Sequence, residues 1–444
     1  MDASHQLDGM PPRKRPKNEK ETPAEGEADR ISDLPEGVLQ HLLSLMPAHD
    51  AVRTCVLAQR WRHLWRSAPA IRFTNEDWFG SAVRFNQFVD RLLRLRRHGA
   101  PLESCELHLA ETELYSAQFL AANERRLSRW IWRALRRKVR MLRFGFVDPI
   151  SLPNMPLVSQ HLTTLELHCV DANGRVLDFS GCPALADLVM SFCFMNSATI
   201  SSSSLKHLKM IGGTFREKHR TRISLPNLVS LELNDILGRV PLLESMPSLA
   251  TATVRIAYEP ADRCNKGGSG DCGDDACDGC RYYYGSQNDR RHGGVFLASL
   301  SQATSLELSA DSDMLVFKRD LKWCSTFSKL RTLVLSKWFV TDDLGALIWF
   351  LQHSPVLEKL TLQISEVHKI SAGRYGPVEQ LVASDHIELV EIKCREIDQM
   401  VVAILKILND SRIPLEKIQI HKYSSFGCFK FVCTGFNPNE RMNL

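Results

Sequence analysis

No stretch of the chain approaches the ~20 consecutive apolar residues that a membrane-spanning helix needs. The opening Met1-Asp-Ala-Ser-His-Gln-Leu-Asp8 lacks the apolar core of a secretory signal, so a nuclear or cytoplasmic protein is expected. Neither sign of charge dominates. With 56 basic and 51 acidic residues the net charge is +5 over 444 residues, too small an excess to force a general polyanion-binding role. Catalytic signatures are missing too: there is no Gly-x-x-x-x-Gly-Lys-Ser/Thr phosphate loop, no His-Glu-x-x-His and no Gly-x-Ser-x-Gly elbow, and the 15 histidines are scattered. Cysteine is odd in number, 13, so at least one thiol has no partner within the chain. Their scatter through apolar segments suits reduced thiols rather than a disulfide framework. The expectation is a protein without catalytic residues and without a cofactor.

What is present is an ordinary globular composition, 44% hydrophobic and 24% charged, long enough for two or three domains at ~150 residues each. Residues 1–29 carry Pro, Glu, Lys and Gly with few large apolar residues and read as a disordered tail. Within it Arg13, Lys14, Arg15 and Lys17 form a basic cluster suited either to nuclear import or to simple solvation. From residue 30 to 71 the character changes to short apolar helices punctuated by proline. Pro35 suits a helix start, Val38, Leu39, Leu42, Leu43 and Met46 recur at helical spacing, Pro47 ends the run, and Asp50 can cap the next helix. Val52, Cys55, Val56, Leu57, Trp61, Leu64 and Trp65 follow, more large apolar side chains than ~40 residues enclose by themselves. Some of that surface is expected to meet another body.

From about 100 to 364 short segments of the form Leu-x-x-Leu-x-Leu recur. Their middle leucines stand at Leu165, Leu188, Leu208 and Leu231 and again at Leu333 and Leu360. These intervals fit the ~20–29 residues of a leucine-rich repeat, in which each unit gives one strand to a parallel sheet and a return segment behind it. Weaker members are Leu107-His-Leu109, Val139 to Phe144, Leu249 to Val254 and Ala303 to Leu308, and Pro183, Pro226, Pro247 and Pro355 mark turns into strands. The expected fold is α/β: a short helical module, then an irregular solenoid with helices or loops behind its parallel sheet. Residues 365–444 add a strand at Ile387–Cys394, a helix near Ile397–Leu408 and a strand at Leu415–Ile420, a strand-helix-strand cap.

Residues 30–71 resemble the F-box, through Leu34-Pro35, the run Leu42-Leu-Ser-Leu-Met-Pro47, Asp50, and Gln59-Arg-Trp-Arg-His-Leu-Trp65. Ala58-Gln59 stands where that family often carries Ser-Lys. Val390-Glu-Ile-Lys393 and Leu415-Glu-Lys-Ile418 are similar to the FBD module that follows leucine-rich repeats in many plant F-box proteins. The resemblance implies a substrate-recognition subunit of a Skp-cullin-F-box ubiquitin ligase. It would bind the Skp adaptor, and through it a cullin, and present an unknown target protein on its repeats. The implied adaptor contacts are Leu34, Pro35, Val38, Leu39, Leu42, Leu43, Val52, Val56, Trp61 and Trp65, each with internal packing as the competing role. An F-box scaffold that assembles no ligase is the alternative.

Two further segments invite other chemistry. Arg125 to Arg143 holds nine basic residues and no acidic one, the best nucleic-acid candidate in the chain. Yet Leu127, Trp130, Ile131, Ala134 and Leu135 have the spacing of a core-facing stripe, so packing is the favoured reading and neither a nucleic-acid nor a membrane partner is expected. An insertion at 260–293 carries Cys264, Cys272, Cys277 and Cys280, a weak zinc candidate against a flexible acidic loop. Its Gly268-x-Gly270-x-x-Gly273 matches a dinucleotide fingerprint by accident of composition, for no apolar helix follows.

Overall fold

The computed structural model describes residues 31–432 apart from short gaps and two longer stretches, 257–294 and 365–385. The basic cluster at Arg13, Lys14, Arg15 and Lys17, and the insertion cysteines Cys264, Cys272, Cys277 and Cys280, lie outside the described residues.

The chain begins with helices α1 (Glu36–Leu45) and α2 (Ala48–Arg53) and two 3-10 segments, Thr54–Val56 and Gln59–Ser67. Pro35 and Pro47 occupy the N-cap positions of the two helices, where a residue in extended conformation is wanted. Asp50 was expected to cap α2. Instead the helix starts two residues earlier, and Asp50 lies inside its first turn, 3.6 Å from Arg53.

Strand β1 (Ala70–Thr74), helix α3 (Ala82–Leu95), β2 (Ser104–Leu109), α4 (Ala117–Arg136) and β3 (Met141–Ser151) come next. The middle of the chain is nearly all strand: β4 (Thr164–Asp171), β5 (Leu177–Asp178), β6 (Asp187–Ser191), β7 (Phe194–Met195), β8 (Thr199–Ser201), β9 (His207–Ile211), β10 (Thr214–Phe215), β11 (Arg222–Ser224), β12 (Ser230–Gly238), β13 (Leu242–Leu243) and β14 (Thr251–Ile256). Then follow β15 (Ser305–Ala310), β16 (Thr332–Lys337), α5 (Gly345–His353), β17 (Lys359–Ile364), β18 (Leu389–Cys394), α6 (Gln399–Asp410), β19 (Ile418–Ser424) and β20 (Gly427–Val432).

One sheet runs the length of the protein in the order β1-β2-β3-β4-β6-β9-β12-β14-β15-β16-β17-β18-β19-β20, parallel except for the last pair. Its register explains the sequence pattern. The first inward position stacks Ile71, Cys105, Leu142, Leu165, Leu188, Leu208, Leu231, Ala252, Leu306, Leu333, Leu360, Val390 and Ile418 on one another. Two residues on, Phe73 to Ile420 form a second such column, and every member of both columns is buried. A strand pointing successive side chains to opposite faces must space its core residues by two, as Leu-x-Leu does.

The turns are as regular. Leu185, Leu228, Leu249 and Leu357 each donate their N–H to the carbonyl three residues back, closing turns that contain Pro183, Pro226, Pro247 and Pro355. Further along, Cys169, Phe192, Gly212 and Asp235 all take positive φ (52°, 53°, 60° and 52°) directly after a matched row of His168, Ser191, Ile211 and Asn234. After this shared left-handed step the strands pair again in the same register, aligning Asp171, Phe194, Thr214 and Leu237.

Behind the main sheet lies a second, four-stranded parallel sheet ordered β13-β11-β8-β5, where the expectation was helices or loops. Helical return segments occur toward the two ends, as α3, α4, α5 and α6. The sheet also starts earlier than expected, at β1 rather than near residue 100, and runs through β18 and β19 without a break in register. In the described residues the C-terminal segment is therefore a continuation of the solenoid, closed by the β19–β20 hairpin that periodicity did not predict. Buried Asp320 accepts the backbone N–H groups of Val295, Phe296 and Leu297 at 2.7, 2.6 and 2.7 Å, fixing the turn ahead of β15.

Candidate functional site

The N-terminal helices divide their apolar residues between two faces. On α1, Leu39 and Leu43 are a helical turn apart and fully buried, while Val38, Leu42 and Leu45 form an exposed stripe at i, i+4 and i+7. Beyond α2, Val56 is 82% exposed and Leu57 is 67% exposed. The buried face joins the repeat core: Pro47 bridges to Arg72 of β1, and Arg72 Nη1 donates to the Leu45 carbonyl at 3.1 Å.

Of the ten expected adaptor contacts, Pro35, Val38, Leu42 and Val56 are exposed, and Leu34 and Val52 are half-buried. Leu39, Leu43, Trp61 and Trp65 are buried within the chain, where the competing packing role places them. Segment 59–67 is a 3-10 helix with three residues per turn, so Trp61 and Leu64 point the same inward way. Exposed Leu45 and Leu57 were not singled out; Leu45 continues the Val38–Leu42 spacing and was legible from it.

The basic segment is a packed helix. Leu127, Trp130, Ile131, Ala134 and Leu135 are buried along α4, as the stripe predicts. Asp90 of α3 gathers its polar edge: Trp130 Nε1 and Arg133 Nη1 donate to Oδ1 at 3.0 and 2.9 Å, and Arg126 Nε lies 3.9 Å from Oδ2. Exposed Trp132 is covered by Arg136 at 4.5 Å from its ring centre. Among the described residues of α4, Trp132 is the one exposed aromatic beside the arginines.

The outward face of the long sheet is polar and paired across strands. Arg143 meets Glu166 at 2.8 Å, Lys209 meets Glu232 at 2.8 Å, Arg255 meets Glu307 at 2.6 Å and Lys359 meets Glu391 at 3.1 Å. Toward the C-terminal ends of β14 to β19 this face holds a groove of about 470 Å³, lined among others by Arg255, Glu307, Ser336, Gln363, Lys393 and Tyr423. Among the described residues no group of three or more His, Cys, Asp or Glu is placed to hold a metal ion, and no helix is long and apolar enough to cross a membrane.

A leucine-rich parallel solenoid carrying a helical module with an exposed apolar stripe is the architecture of the F-box and leucine-rich-repeat class. Comparison with known proteins agrees. Residues 31–72 match the F-box domain family. An F-box/LRR-repeat protein of Arabidopsis thaliana is 30% identical over 259 residues, covering 51% of this chain and 82% of the relative. An F-box/FBD/LRR-repeat protein of the same plant is 28% identical over 272 residues, 53% of this chain and 62% of the relative. A further F-box/LRR-repeat protein is 28% identical over 251 residues, 47% of this chain and 46% of its own length. The chain spans about half the length of several relatives it matches. It belongs to the F-box/LRR-repeat proteins.

Proposed function

We propose that this protein is the substrate-recognition subunit of a Skp-cullin-F-box ubiquitin ligase. The α1 stripe of Val38, Leu42 and Leu45, with Val56 and Leu57, seats on the Skp adaptor, and the outward face of the repeat sheet holds the target. The observation that carries this reading is the exposed stripe on an F-box whose opposite face is already filled by its own core. Leaving several leucine-class side chains in water forgoes ~1.5–3 kcal/mol each relative to burial, and covering them drives docking. The receptor contributes no catalytic group; it raises the local concentration of target near a charged ubiquitin carrier. Import through the basic cluster at residues 13–17 fits the same role in the nucleus.

The test is capture of purified Skp adaptor and cullin by the full chain. Leu42→Asp with Leu45→Asp should weaken adaptor capture by ~100-fold or more with the unfolding midpoint little changed. Trp61→Ala should instead lower the midpoint, because it empties a buried site. Adaptor binding that survives the double substitution would remove the stripe from the interface. Adaptor capture without cullin would favour a scaffold that assembles no ligase.

A further inference from the structure

The 3-10 helix Gln59–Ser67 does more than bury its tryptophans. With three residues per turn it stacks Arg60, His63 and Arg66 in one row, and Leu64 lines the same cavity beside them. That row lines a cavity of about 380 Å³ whose remaining walls include Glu36, Ser67 and Arg97. Arg97 is fixed there by its backbone. Its N–H donates to the Arg66 carbonyl at 3.1 Å, and its own carbonyl accepts Arg137 Nη1 at 2.8 Å.

The positive charge of this junction is poorly matched by the chain itself. Glu36 is the one acidic wall residue, and its carboxylate already accepts Gln40 Nε2 at 2.9 Å. Among the described residues no carboxylate lies within ion-pair distance of His63, Arg66 or Arg97, and Arg66 Nε is buried without a partner. Next in sequence to Arg97, Arg96 is 2% exposed. Its Nη2 donates to the Ala68 and Pro101 carbonyls at 2.8 and 3.4 Å, while Nε and Nη1 have no partner. Burial first, and the charge of Arg137 second, lower its pKa to about 10. A guanidinium fork matches the oxygens of a phosphoryl group two at a time, and four basic side chains around one cavity, Arg66 half-buried and Arg60, His63 and Arg97 exposed, favour an incoming anion.

We propose that this cavity, at the seam between the F-box and the first repeats, binds a small phosphate-class anion. Arg66 and Arg97 grip the oxygens, His63 and Ser67 donate hydrogen bonds, and the volume admits more than one phosphoryl group. Bound there, the anion braces the docking module against the solenoid and so fixes the direction in which a target is presented. The inference stands on the cavity alone and is independent of the ligase reading.

The experiment is thermal unfolding and isothermal titration calorimetry of the full chain with inorganic pyrophosphate and, separately, inorganic phosphate, ionic strength being held constant with sodium chloride. Pyrophosphate should bind with a stoichiometry of about one and raise the midpoint saturably, by ~3 °C at a hundredfold excess over its Kd. Arg66→Gln with Arg97→Gln should abolish both the heat and the rise. Arg129→Gln with Arg136→Gln, on exposed positions of α4, should leave both intact and so exclude diffuse attraction to the basic helix. If the cavity variant does not fold, the α4 variant and the wild-type stoichiometry still decide. A midpoint that follows salt alone, several weak sites in place of one, or loss of binding in the α4 variant would overturn the proposal.

Discussion

Gly238 and Gly37 look alike in the sequence, each a lone glycine beside a large apolar residue. Their backbones separate them. Gly238 has φ +80°, and a Cβ added to it would collide with the Phe215 carbonyl, its partner across β10 and β12. Gly37 lies in α1 with open space where its Cβ would be. Gly238→Ala should therefore destabilise the full chain by about 2 kcal/mol or more, combining left-handed strain with a backbone clash. Gly37→Ala should stabilise it by ~0.5–1 kcal/mol through a stiffer unfolded chain and better helix propensity. Denaturant unfolding midpoints check both, and equal responses would mean that the resumed pairing at β10–β12 is not held as described. The left-handed step three residues before Gly238 falls on Phe192 and Asp235 as readily as on Gly212. No residue type at that position advertises it in advance.

Elements were legible in proportion to how much core they carry. Each parallel strand of the long sheet, β1 to β19, puts two side chains into columns that are buried throughout, so even the weak members at Leu107 and Val254 are strands. The second sheet is built from pieces as short as Leu177–Asp178 and Leu242–Leu243, too brief to show a period of two. Each strand adds one buried residue to a short column, Leu177, Ile200, Ile223 and Leu243, and local polar bonding brackets its edge. Asp178 in β5 accepts the Ser180 N–H at 2.9 Å, the Ser180 hydroxyl at 3.0 Å and, from β8, the Ser201 hydroxyl at 3.3 Å. The backbone bond from Ser180, ahead of the hydroxyl bonds, outweighs partial burial and holds the Asp178 carboxyl below its ordinary value of 3.8. A carboxyl depressed in the folded state stabilises above its unfolded pKa, and that contribution is lost as pH falls through the folded value. Asp178→Asn should thus flatten the acid limb of the stability curve below about pH 4 and leave its shape at neutral pH unchanged. Parallel limbs in the two proteins, followed by chemical unfolding from pH 2 to 7, would remove the bracket from the stabilising set.

The F-box and the C-terminal segment resemble separable modules in sequence, and the described residues join both to one sheet. The F-box core reaches β1 through the Pro47–Arg72 bridge, and β18 continues the register of β17 from Lys359–Leu389 through Ile364–Cys394. In such a solenoid each unit is stabilised by its neighbours, so an end exists only where a cap ends the stacking. Here the β19–β20 hairpin supplies that end, and α6 is the last return segment before it. Asp398 caps α6 by accepting the N–H groups of Met400 and Val401 at 3.0 and 3.1 Å, and Met400, Val401, Ile404, Leu405 and Leu408 are buried. Tyr423 ties the following strand back to the Ile364 carbonyl at 2.8 Å. Truncation after Ile364 should therefore leave β17 as an unpaired parallel edge with its inward leucines half uncovered. The expected outcome is a lower unfolding midpoint and self-association on size-exclusion chromatography, with aggregation increasing with protein concentration. A truncated chain that stays monomeric at the full-length midpoint would make residues 365–444 an independent domain. The target face would then end at β17, and Lys393 and Tyr423 would drop out of the groove that Arg255 and Glu307 begin.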